Sequence, residues 1–109
     1  MAITSTQTMN PASVCNVAVG RYLDTGTVAA FTITCGFKPR YVKVSNVTSR
    51  DQMEWFEGMD DDSGVKTVAA GTRTLSTSAA ITPTSNGFTM GLDTDVVVTS
   101  QQISWVAYG

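Results

Sequence analysis

Apolar and polar side chains alternate with a period of two along most of this chain, and no segment sustains the 3.6-residue period of an amphipathic helix. The clearest example is residues 36–46, GFKPRYVKVSN. Gly36 tolerates positive φ, while Pro39 fixes its own φ and biases Lys38 toward extended geometry, so a strand begins at Tyr41. Val42 and Val44 take one face of it; Tyr41, Lys43 and Ser45 take the other. Further strands are predicted over 53–57, 65–70, 73–76, 79–82, 88–92, 95–99 and 103–108. Asp60-Asp61-Asp62-Ser63-Gly64, Gly71, Pro83, Asn86-Gly87, Gly91 and Ser100-Gln101-Gln102 separate them. Short strands at this spacing predict an all-β, single-domain antiparallel β-sandwich or jelly-roll-like barrel.

Upstream of residue 36 the pattern predicts a hairpin with Asp24-Thr25-Gly26 as its turn. Centring it on Thr25 sets Cys15 opposite Cys35, Val17 opposite Ile33 and Val19 opposite Phe31, all on one face. Residues 1–13 are polar with isolated Ile3 and Met9, which predicts an extended N-terminal arm ahead of a β-sandwich domain at 14–109. Such an arm either frays, as most termini do, or orders on a neighbouring subunit with Ile3 and Met9 as anchors.

Composition sharpens the class. Only 15% of the 109 residues are charged, and Ser and Thr make up roughly a quarter, a balance suited to half-exposed strands. The net charge of −2 recruits neither nucleic acid nor an anionic membrane. The N-terminus lacks the basic and apolar regions of a secretory signal, so the expectation is either synthesis in the cytoplasm or a sequence from which such a signal has been removed. Asn46-Val47-Thr48 matches a glycosylation sequon, read here as coincidental.

Charge is unevenly placed. Lys38, Arg40, Lys43 and Arg50 are followed at once by Asp51, Glu54, Glu57, Asp60, Asp61 and Asp62, and beyond Arg73 only Asp93 and Asp95 are charged. Cross-strand pairing, such as Lys43 with Glu54 or Glu57, accounts for part of this. The alternative is a basic edge of Lys38, Arg40 and Lys43 that faces a partner. A surface so poor in charge suits burial against sister subunits or a larger assembly.

The absence of histidine removes the commonest general base, the commonest metal ligand and the Ser-His and Cys-His nucleophile pairs. The acids read as solvated surface groups, so no enzyme activity, cofactor or metal is expected. In the MDDDSG turn, aligning Gly64 with the glycine of a calcium loop places Met59 and Ala70 at ligand positions; a looser site on Asp60 and Asp62 is the residual reading. Cys15 and Cys35 form either a disulfide or a pair of reduced, buried thiols, and cytoplasmic synthesis favours the thiols. Trp55, Trp105 and Tyr108 are expected in the core or an oligomer interface. The competing role is a sugar-binding surface lined by Trp55 and Trp105 with Tyr22, Tyr41 and Tyr108, flanked by Asn46 and Gln52.

The segments GFKPRYVKVSN, VKTVAAGTRTL, NGFTMGLDTDVV and ISWVAYG together resemble the small β-structured virion proteins of tailed bacteriophages, over about residues 26–109. The resemblance implies a capsid decoration, or cement, protein: a β-sandwich or jelly-roll-like subunit that assembles as a homo-oligomer, a trimer rather than a dimer. It would bind the major capsid protein on the exterior of the virion after synthesis in the host cytoplasm. A carbohydrate-binding tail-fibre or spike module is the second family of this kind. Under the first, Ile3, Met9, Lys38, Arg40 and Lys43 are the expected contact residues.

Overall fold

A computed structural model describes residues 16–23, 26 and 28–109. Within these the protein is all-β: β1 (Val17–Tyr22), β2 (Phe31–Thr34), β3 (Tyr41–Asn46), β4 (Gln52–Phe56), β5 (Ser63–Thr67), β6 (Arg73–Thr84), β7 (Gly87–Met90) and β8 (Ile103–Tyr108). Every pairing is antiparallel, and the strands form one sheet in the order β1-β8-β3-β4-β5-β6-β7-β2. The sheet curls on itself into a barrel- or sandwich-like fold. Phe88 of β7 meets Trp105 of β8 edge-on with ring centroids 5.5 Å apart, although β3, β4, β5 and β6 lie between these strands in the sheet.

The curl follows from the period-two pattern. One face of the sheet carries Val42, Val44, Met53, Trp55, Ile81, Phe88, Met90, Ile103 and Ala107, all buried in a single cluster. Burial of each large side chain contributes on the order of 1.5–3 kcal/mol, and a sheet with one such face covers it either with another layer or with itself. In β3 the predicted faces hold: Val42 and Val44 are buried, while Tyr41, Lys43 and Ser45 are half-buried on the outer side.

The expected hairpin between residues 14 and 35 does not form. β1 pairs with β8 and β2 with β7, at opposite ends of the sheet order. The reason lies in β8, where Trp105 sits opposite Gly20. A Cβ at Gly20 would lie 2.6 Å from Trp105 Cζ2, so the small residues Ala18 and Gly20 must turn inward. Val17 and Val19 therefore point outward, and Val19 is 72% exposed. Cys15 and residues 1–13 lie outside the described residues; Cys35 is a half-buried free thiol whose Sγ contacts the Phe37 carbonyl oxygen at 3.4 Å.

Two other expectations change. The predicted strands 73–76 and 79–82 belong to one long strand, β6, which leaves β5 and moves onto β7. The switch occurs at an irregularity where Gly64 faces Ser76 but Ser63 faces Ile81, with Ala79 at φ 52°. Asp62 holds this corner: its Oδ1 accepts the Ala80 amide at 2.9 Å, and its own amide donates to Thr82 Oγ1 at 3.0 Å. Pro83 lies inside β6, past the last residue that pairs with β5, where a missing amide costs nothing on that side.

The predicted strand 95–99 is a turn that buries Val96 and Val97 in the core. Two polar clusters pin it. Asn46, fully buried, donates from Nδ2 to the Val96 carbonyl (2.9 Å) and to Gln101 Oε1 (2.8 Å), and accepts at Oδ1 from the Thr48 and Ser49 amides (3.0 and 2.9 Å). Lys66 Nζ bonds Asp93 Oδ2 at 3.1 Å and Asp95 Oδ2 at 2.6 Å, while Asp93 Oδ1 accepts the amides of Asp95 and Val96. Burial opposes the charged form of Lys66. The hydrogen bonds and charges of Asp95 and Asp93 outweigh it and raise its pKa above the ordinary lysine range.

Asn46→Ala should lower unfolding free energy by about 2–4 kcal/mol, because it strands several buried partners at once; urea denaturation measures this. Because the folded-state pKa of Lys66 is raised, its stabilisation is complete below the unfolded value and is lost as pH rises through the folded one. The gap in urea midpoint between wild type and Lys66→Met should therefore be constant up to about pH 10 and shrink at higher pH.

Candidate partner-docking face

The outer face of the sheet is built from cross-strand rungs whose registers are fixed by the ladders. The first rung runs Val17–Tyr108–Tyr41–Phe56 across β1, β8, β3 and β4. The second runs Val19–Val106–Lys43–Glu54–Val65–Leu75 and continues onto β5 and β6. The third, Arg21–Ser104–Ser45–Gln52–Thr67–Arg73, is polar. Directly opposite side chains in antiparallel strands touch, so the face grades from aromatic and aliphatic at one end to polar at the other.

The apolar end stays open to solvent. Val17 and Phe56 are each 46% exposed, Tyr108 47% and Leu75 65%. Tyr41 lies between Phe56 and Tyr108, with centroids 5.1 and 5.8 Å away. Its hydroxyl donates to Glu54 Oε2 at 2.7 Å, and Glu54 Oε1 lies 3.7 Å from Arg73 Nη2. Burial, then the hydrogen bond and charge of Glu54, then Tyr108, push the Tyr41 phenol well above its ordinary pKa, so it remains a neutral donor. Lys43 stands opposite Glu54, as one of the two expected pairings had it. Glu54 spends its oxygens on Tyr41 and Arg73, and Lys43 makes no hydrogen bond or ion pair among the described residues.

The expected contact residues divide. Ile3 and Met9 lie outside the described residues. Lys43 sits in the middle of the face. Lys38 and Arg40 line a cleft of about 470 Å³ beyond the aromatic rung, with Trp55, Glu57, Met59, Asp61 and Pro83 around it. Arg40 Nε is 3.7 Å from Glu57 Oε2, and its amide donates to the Tyr108 carbonyl at 2.7 Å, which joins the cleft to the face. Lys38 and Arg40 thus border the face through this cleft, which Trp55 of the inner face also lines.

Trp55 and Trp105 point to the other side of the sheet. Trp55 is buried, with its indole N–H donating to the Asp60 carbonyl at 3.1 Å, and Trp105 is half-buried over Gly20 and Phe88. Asn46, offered by the sequon and by the sugar-platform reading, is fully buried, so the folded protein presents neither an acceptor amide nor a stacking indole there. Asp62 of the acidic turn uses its carboxylate as a cap for Ala80, and no cluster of three metal-ligating side chains occurs among the described residues. No family model, no curated protein and no solved structure matches this chain.

Val17, Val19, Phe56 and Val106 were missed as surface residues when the sequence was read alone. Only the pairing of β8 between β1 and β3 assembles them into one patch; the signal that could have hinted at it is the outward placement of Tyr41 with Lys43. Val17→Thr combined with Val19→Thr should shift thermal stability by no more than about 0.5 kcal/mol, as for other surface substitutions. Tyr41→Phe should cost about 1–2 kcal/mol through loss of the bond to a charged acceptor; thermal or urea melts measure both.

Proposed function

We propose that the protein is a non-enzymatic structural subunit that attaches by the outer face of β1, β8, β3 and β4 to the surface of an assembled protein shell and stabilises it. The observation that carries this reading is the run Val17, Tyr108, Tyr41 and Phe56, continuous over four strands and exposed at all but Tyr41, with Lys43 beside it on the face and Arg40 joined to it at the Tyr108 carbonyl. Contiguous exposed apolar surface with a polar rim marks an interaction site. Tyr and Phe supply most of the area at low entropic cost, and the neighbouring cations add register and partner choice.

In its concrete form the reading is a capsid decoration protein whose partner is the major capsid protein on the virion exterior. The resemblance to phage virion proteins supports it, as does a chain nearly devoid of charge beyond Arg73. The mechanism is mass action: a subunit that binds only the assembled lattice stabilises that lattice by its binding free energy. The sugar-binding reading has less support, because Trp55 and Asn46 are interior and only Tyr41 and Tyr108 of its aromatic groups lie together on the outer face.

Co-sedimentation with candidate capsids tests it. Wild-type protein should pellet with shells, and the triple variant Lys38→Glu, Arg40→Glu, Lys43→Glu should not. Phe56→Ala should weaken attachment about tenfold or more, in keeping with loss of an aromatic anchor. Full occupancy by the triple variant would overturn the assignment of the basic rim.

A further inference from the structure

The two edges of the sheet differ in kind. β2 is short, FTIT, and its outward-facing positions are threonines. β1 is longer, VAVGRY, without Pro or a bulge, and among the devices that ordinarily protect an edge strand it has one charged residue, Arg21, toward its end. Its single glycine serves the interior, since Gly20 makes room for Trp105.

The backbone direction on β1 is fixed by one bond at its end. The Gly109 amide donates to the Asn16 carbonyl at 2.9 Å, so the Asn16–Gly109 pair is hydrogen-bonded. Hydrogen-bonded and non-hydrogen-bonded pairs alternate along an antiparallel ladder. Ala18 and Gly20 therefore bond β8, while the amides and carbonyls of Val17, Val19 and Arg21 point away from it. None of these outward groups has a partner among the described residues. The same three residues carry the outward side chains, and Val19 is the most exposed large apolar residue of the described chain.

We infer that this edge is the seam of a two-fold homodimer, β1 against β1 of a second copy, antiparallel and centred on Val19. Several registers set outward-bonding residue against outward-bonding residue, and of these only the one centred on Val19 engages all three. It sets Val19 against Val19 of the second copy and each Val17 against the other copy's Arg21, which forms about six new main-chain hydrogen bonds. No like charges oppose each other, because Arg21 faces Val17. On the inner side Ala18 meets Gly20, small against small. The pairing is β-strand addition between identical edges, and its symmetry closes the assembly in the way two-fold contacts do. It also joins the two outer faces into one continuous apolar surface, with a valine pair at its centre. The trimer implied by the virion resemblance gives way to this two-fold contact.

Sedimentation velocity on the full chain tests the seam without any shell present. Wild type should be a dimer at about 0.1 mM, a hundredfold above a micromolar Kd. Val19→Pro removes the central amide donors at a position where an edge strand tolerates proline, so it should be monomeric with an unchanged far-UV spectrum. In a Cys15→Ser, Cys35→Ser background, Val19→Cys should give a covalent dimer on mild oxidation, because residues facing each other across a hydrogen-bonded pair lie about 5.5 Å apart. Val17→Cys in the same background should not. A monomeric or trimeric wild type, a dimer that survives Val19→Pro, equal cross-linking from Val17→Cys, or a dimer abolished by deletion of residues 1–13 but not by Val19→Pro would each overturn the proposal.

Discussion

The side-chain amide of Asn46 is the interaction on which the rest of this structure depends. A single sheet that curls over its own apolar face leaves its ends open, and here residues 91–102 close one of them with Val96 and Val97. That segment has no ladder of its own, so its carbonyls need other partners. Asn46 provides them from the end of β3 and simultaneously caps the turn that follows it. A buried amide with all its bonds made holds one geometry; with any bond missing it becomes a liability. The Lys66 ammonium between Asp93 and Asp95 repeats the device from β5, with charge in place of a neutral amide.

With its interior secured in this way, the sheet keeps an outer face whose bonds centre on Tyr41 and Glu54 and whose apolar side chains stay partly open to solvent. Two consequences separate cleanly. Val42, Val44, Met53 and Trp55 are buried in the core, whereas Val17, Val19, Phe56 and Tyr108 keep much of their area in solvent. The cations follow the same division. Lys66 is consumed in the interior, Arg40 and Arg73 are engaged by Glu57 and Glu54, and Lys43 stands in the middle of the outer face beside the apolar rungs. Among the described residues Lys43 makes no ion pair, and it lies beside exposed aromatic rings.

Part of this was legible in the one-dimensional pattern. The all-β class, the faces of β3 and the limits of β8 at Ile103 and Tyr108 follow from period two and from turn residues, which are local properties of the backbone, whereas the choice of Glu54 over Glu57 opposite Lys43 needed the ladder. Alternation also separated Val42 and Val44 from Tyr41 and Lys43, which is the first half of recognising the two faces of the sheet.

Which strands neighbour one another was decided only in three dimensions. Residues 14–35 carry a pattern equally suited to a hairpin and to two separate edges, and the choice was made by a residue far along the chain, because Trp105 demands a glycine opposite it. Likewise the apolar run at 95–99 has the composition of a strand, but the open end of the curled sheet needed a plug more than another strand. Asn46 could be read as a surface sequon because burial is invisible to a motif. The sequence by itself determined the period and the turns, which need only adjacent residues; tertiary structure decided the partners, because those depend on side chains whose neighbours lie tens of residues away.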